Sequence, residues 1–128
     1  MVNVLIYKES RYPADRKMIR KTVEDFLASQ GIKGKVEVGV SVVGDRKMRE
    51  LNKKYTQRDE TTDVLSFGME EGSGFITPPD GVLRLGDVVV SYPEAVKNAA
   101  DNNVLVDEEI KTLVQHGLAH LLGIHHEE

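Results

Sequence analysis

Between Lys35 and Val43, valine stands at positions 36, 38, 40 and 42, with Glu37, Gly39 and Ser41 between them. A period of two puts all four valines on one side of an extended strand, so that side needs a covering layer while the other keeps polar company. A chain committed to such a strand must build a sheet and lay something apolar over it. The flanking sequence supplies that cover. Pro13 suits a helix start, and Met18, Ile19, Val23, Phe26 and Leu27 recur at helical spacing until Gly31. Val2 to Tyr7 is a β-branched run and reads as the first strand.

Beyond Val43, Asp45 can cap a short helix to about Tyr55, with Met48, Leu51 and Asn52 on one side and basic residues round the rest. Asp63 to Phe67 reads as a third strand, and Val82 to Ser91 as a fourth, interrupted at Gly86-Asp87. Between them, Gly68 to Gly81 holds four glycines and Pro78-Pro79 and is expected to be a loop. Pro93 opens a helix to about Asn102, and a last helix runs from Asp107 to Leu122. The order β, α, β, α, β, β, α, α within 128 residues predicts one α+β domain over 1–128, a small mixed four-stranded sheet packed by helices.

Composition narrows the class. Apolar residues at 40% and charged residues at 30% suit a folded soluble chain and argue against disorder. No apolar run approaches the roughly 20 residues of a membrane span, and Met1 to Ser10 has no basic leader or cleavage site, so a cytoplasmic protein with no membrane partner is expected. The absence of cysteine leaves any metal to histidine, carboxylate or water. Charge is uneven: residues 1–58 carry 14 Lys and Arg against 7 Asp and Glu, whereas residues 59–128 carry 3 against 14. Such a division can set a polyanion-binding surface beside a carboxylate-rich region, or be no more than solvated surface.

The four histidines stand at 116, 120, 125 and 126. His116 and His120 are four apart on the last helix, which at about 3.6 residues per turn stacks both imidazoles on one face. Gly123 can take the positive φ that turns the chain back, so that His126 delivers a third nitrogen. Three imidazoles with a fourth position left open are the donor set of a catalytic Zn2+ site, here placed at the C-terminal helix. His125 competes with His126, but the spacing favours His126. Zinc peptidases with this spacing carry a glutamate directly after the first histidine as general base; Gly117 stands there instead.

The segment His116-Gly-Leu-Ala-His120-Leu-Leu-Gly-Ile-His-His126 resembles the HGxLHLxGxDH motif of the YbeY family of bacterial endoribonucleases, also called ribosomal RNA maturation factors. Met48-Arg-Glu-Leu51-Asn52-Lys-Lys-Tyr55, then Asp59-Glu-Thr-Thr62-Asp63-Val-Leu-Ser66-Phe67, are similar to that family's MxxLNxxY and DxxTDVLSF segments. Leu85 to Ser91 resembles its GDIxIS strand, so the likeness covers about residues 36 to 126 in order. It implies one zinc on His116, His120 and His126, with His116 also at the catalytic centre. It further implies single-strand-specific cleavage of RNA in small-subunit ribosomal RNA maturation and ribosome quality control, with the small ribosomal subunit as partner and no DNA. The basic first half fits phosphate contacts, while the lack of Trp leaves few base-stacking platforms.

Two positions depart from that pattern. Thr56 stands where the family typically has Arg, so the expected catalytic, phosphate-binding role either moves to Arg58 or is weakened, and His125 replaces an Asp. Asn52, Asp63 and Ser66 are read as structural residues, whereas Asp87, a carboxylate in an apolar strand, is expected near the metal ligands or the substrate. The alternatives are a zinc peptidase-like or other small metal hydrolase, and a ribosome-binding module whose zinc is purely structural.

Overall fold

The structure is a computed structural model that describes residues 1–68 and 81–124. The expected element order holds: β1 (Val2–Lys8), α1 (Arg16–Ser29), β2 (Lys35–Val43), α2 (Asp45–Thr56), β3 (Val64–Gly68), β4 (Val82–Ser91), α3 (Tyr92–Asn102) and α4 (Val106–Leu121). The strands form one sheet in the order β1-β2-β4-β3, with β1, β2 and β4 parallel and β3 antiparallel to β4. The sheet is therefore mixed, as the strand and helix alternation predicts. Most of the loop expected over 68–81 lies outside the described residues.

The four alternating valines of β2 are buried on the face covered by α1, α3 and α4. Ile19, Val23 and Leu27 of α1 meet Ile110, Leu113, Val114 and Leu118 of α4 there, one turn apart along each helix as their spacing requires. Among the described residues, the opposite face is covered at one end, where Met48 of α2 packs with Val43 and Val89, and Leu51, Leu65 and Phe67 surround them. The unbroken Val88-Val89-Val90 run is thus explained: Val88 and Val90 belong to the main core and Val89 to the smaller one.

Helix starts differ from expectation for identifiable reasons. Asp15 caps α1 by accepting from the Lys17 and Met18 amides, so the helix begins after Pro13. At α2 the N-cap is Gly44, and Asp45 lies in the first turn. There its Oδ1 accepts from Thr61 Oγ1 at 3.0 Å and Ser91 Oγ at 2.7 Å, which takes it away from capping. Those bonds belong to a polar network that fixes the connection 57–63. Asn52, buried, donates to the Glu60 carbonyl at 2.9 Å, Asn98 donates to Asp63 Oδ2 at 3.1 Å, and the Ser91 amide donates to the Asp63 carbonyl. The polar residues of the 48–63 segments thus hold a loop that delivers β3 to the sheet edge, the structural role expected of Asn52 and Asp63.

Register along β4 shifts at Leu85, which is inserted between the pairs Glu37↔Arg84 and Val38↔Gly86. Gly86 takes φ +129°, and a Cβ there would collide with the Phe67 carbonyl oxygen, so only glycine fits the bulge. Asp87 does not stand where the sequence suggests. Asp87 is exposed on the sheet face away from α4, its carboxylate lying over Gly39, and so is not beside the histidines.

Candidate active site

α4 lies directly against β4 because one residue on its buried side has no side chain. A Cβ built on Gly117 would stand 2.6 Å from Val88 Cγ1 and 3.0 Å from Cγ2, well inside contact distance. That close approach brings the exposed flank of α4, with His116 and His120, alongside the edge strand β3. It also accounts for the missing glutamate at 117, since this side of the helix has no room for any side chain.

β3 alternates about the sheet. Leu65 and Phe67 join the small core with α2, whereas Ser66, paired with Val88, points to the α4 side. Ser66 Oγ lies 2.7 Å from His120 Nδ1. A hydroxyl on Nδ1 fixes the imidazole ring and directs Nε2 outward, which is the outer partner expected of a metal-binding histidine. Ser66 is therefore more than the strand residue expected of it. The available signal was the period of two, which puts a lone hydroxyl on the covered side of an apolar strand.

The cleft between these elements has a volume of about 470 Å3 and is lined by Tyr55 and Thr56 of α2, Val64 to Gly68 of β3, and His116, Gly117 and His120 of α4. A shallower recess on the other side of His116 is bounded by Phe26, Thr112 and Gln115. α4 ends in paired bonds, the Gly123 amide to the His120 carbonyl and the Ile124 amide to the Ala119 carbonyl, with Gly123 at φ +75°. The chain turns at Gly123 as the sequence requires. His125 and His126 lie outside the described residues, and among the described residues no cluster of three metal-binding side chains occurs.

The two placed imidazoles fit a zinc ion: both are exposed at the cleft, share one helix face, and one is held by a hydroxyl. Replacement of Ser66 by alanine should lower zinc affinity about 10- to 100-fold without unfolding the domain. Competition against a chromophoric chelator, with a melting curve as control, measures this; unchanged affinity would reduce Ser66 to a strand residue.

Arg58 lies beyond the left-handed Gln57 that ends α2, is largely exposed, faces Glu60 at 3.8 Å, and is not among the residues lining the cleft. Thr56 does line it, but its hydroxyl donates to Asn52 Oδ1 at 2.6 Å. On the outer side of α2, Arg49 binds Asp59 at 2.9 Å, and this hydrogen bond with the arginine's charge holds the Asp59 carboxyl below its ordinary pKa.

The family model described as Endoribonuclease YbeY matches residues 6–128. This chain belongs to the YbeY endoribonuclease family. YbeY relatives include Endoribonuclease YbeY of Dehalococcoides mccartyi, 36% identical over 99% of this chain and 84% of the relative. That of Aquifex aeolicus is 38% identical over 98% and 79%. Among solved structures, the solution structure of TM1509 from Thermotoga maritima superposes with a TM-score of 0.61 at 25% identity, covering 99% of this chain and 75% of that one. YbeY membership thus rests on nearly the whole chain and not on the histidine motif alone. No helix among the described residues is long and apolar enough to cross a membrane.

Proposed function

We propose that this chain is a zinc-dependent endoribonuclease that cuts single-stranded RNA, acting in small-subunit ribosomal RNA maturation and ribosome quality control in the cytoplasm. The observation that carries the chemistry is the pair His116 and His120 on one exposed helix face, with Ser66 on His120 Nδ1, inside an open cleft. The ribosomal setting, with the small subunit as partner, is drawn from the family resemblance.

His116, His120 and His126 would hold the ion. Bound zinc supplies Lewis acidity to a phosphodiester oxygen and a lowered pKa to the attacking water or ribose hydroxyl. Around it, Ser66 keeps the His120 ring in one orientation, and the cleft between α2, β3 and α4 gives room for a flexible strand. Arg58 serves as a phosphate contact only after leaving Glu60, a weak and exposed pairing. The peptidase alternative loses ground because Gly117 sits against Val88, where no general base fits.

Cleavage of single-stranded RNA, abolished by chelator and restored by zinc, with no action on casein, tests the assignment. Casein cleavage would overturn it in favour of the peptidase, and stoichiometric zinc without either activity would favour the ribosome-binding module. The basic face of α2 gives a separate test. Arg46, Lys47 and Lys53 are exposed, whereas Arg49 is matched by Asp59. Replacing those three with alanine should flatten the slope of log affinity against log salt by about 2, near 0.7 per lost contact on single strands, while zinc content stays the same. An unaltered slope would return these charges to the solvated surface.

A further inference from the structure

Aromatic rings are scarce in this chain, and those the structure describes are mostly committed. Tyr12 and Tyr92 stack on each other with centroids 4.8 Å apart, and Tyr7 lies on β1, remote from the histidines in the sheet order. Tyr55 differs. It closes the last turn of α2, is 53% exposed, and lines the same cleft as His116 and His120. Among the described residues it is the one large exposed apolar side chain that does so.

Its ring is also backed. Phe67, anchored in the small core, packs on Tyr55 with centroids 4.4 Å apart and planes at 42°, so the tyrosine is held in place while half its surface stays open. The Lys54 ammonium, on a flexible and exposed side chain, sits over the ring at 5.1 Å from its centroid. A flat, partly fixed π-surface under a displaceable cation matches a nucleotide, whose base can take the ammonium's place on the ring while the ammonium moves to the phosphate.

We propose that Tyr55 is a base-stacking platform for an unpaired nucleotide next to the phosphodiester held at His116 and His120, with Lys54 contacting that nucleotide's phosphate. This rests on the ribonuclease reading and adds to it a physical source of single-strand preference. A base inside a duplex is already stacked on its neighbours and cannot cover the tyrosine without being pulled out, whereas an unpaired base can.

The test uses the full chain loaded with zinc and a short single-stranded RNA carrying 2-aminopurine at successive positions. Tyr55→Leu keeps apolar packing on Phe67 but removes the flat ring. It should raise the dissociation constant and KM about five- to a hundredfold, the range of one lost base stack, with kcat changed far less and the melting temperature nearly unchanged. Tyr55→Phe and Tyr55→Trp should bind as the wild type does. Quenching of 2-aminopurine at one position should disappear in Tyr55→Leu alone, and an abasic residue at that position should weaken wild-type binding while leaving Tyr55→Leu unaffected.

Lys54→Ala should instead flatten the salt dependence, which Tyr55→Leu leaves intact. Binding by Tyr55→Leu within twofold of wild type would overturn the platform while the ribonuclease stands, as would equal loss in Tyr55→Phe, which would assign the effect to the hydroxyl. A zinc-loaded wild type that neither binds nor cuts the RNA would overturn the ribonuclease reading and the platform with it.

Discussion

Alanine at His116 or at His120 is expected to abolish stoichiometric zinc and to reduce RNA cleavage by more than about a hundredfold, beyond the cost of losing an outer hydrogen-bond partner. Two imidazoles do not substitute for three, since a site short of one donor loses both affinity and its tetrahedral geometry. The fold should survive either change, because both side chains are exposed on α4 and its core contacts are made by Ile110, Leu113, Val114 and Leu118. Metal analysis of the purified variants beside their melting curves separates the two effects. Full zinc occupancy in both variants would end the metal assignment. Alanine at 126 should likewise cost more zinc than alanine at 125, and the reverse order would make His125 the third ligand.

Gly117 carries the second large expected effect, on stability instead of binding. Glycine in a helix interior ordinarily costs roughly 0.5–1 kcal/mol relative to alanine, so Gly117→Ala would stabilise an uncrowded helix. Here the added methyl would meet Val88 Cγ1 at 2.6 Å, between a helix and a central strand that cannot both relax. Overpacking of that kind costs about 1–3 kcal/mol, so Gly117→Ala should be destabilised on balance. Gly117→Glu should be worse, by more than about 4 kcal/mol, since a carboxylate would also be forced between α4 and β4 without solvent. Urea titration measures both. Adding Val88→Ala should recover much of the loss in Gly117→Ala, a coupling that a double-mutant cycle isolates. A Gly117→Ala protein at least as stable as wild type would show that α4 can lift from the sheet. A folded Gly117→Glu variant that cuts casein would revive the peptidase reading.

Most of the architecture was legible because periodicity and the glycine and proline positions agreed with one another. The β2 valines, the α1 spacing and Pro93 each had one consistent interpretation, and the sheet placed them accordingly. What the sequence concealed were contacts between distant segments. The Ser66 hydroxyl on His120 joins positions 54 apart, and nothing local to either residue announces the other. Asp87 misled for a related reason. A carboxylate in an apolar strand suggests a buried partner, but the bulge at Leu85 and Gly86 leaves it exposed over Gly39, where the missing side chain makes room. Gly117 was noticed for what it lacks chemically, while its steric reason required Val88.

The distance along the chain between the two halves of the cleft has a consequence for a protein still being made. Tyr55, Ser66 and the sheet edge are synthesised first, and both placed histidines come only with α4. At about 5–20 residues per second, the 54 positions from Ser66 to His120 take roughly three to ten seconds. Within that interval β3 first waits for β4, the strand it pairs with, and the pair of imidazoles is complete only at its end. The cleft is therefore complete only once α4 has settled on Val88, which makes the imidazole pair one of the last parts of the fold to be put in place.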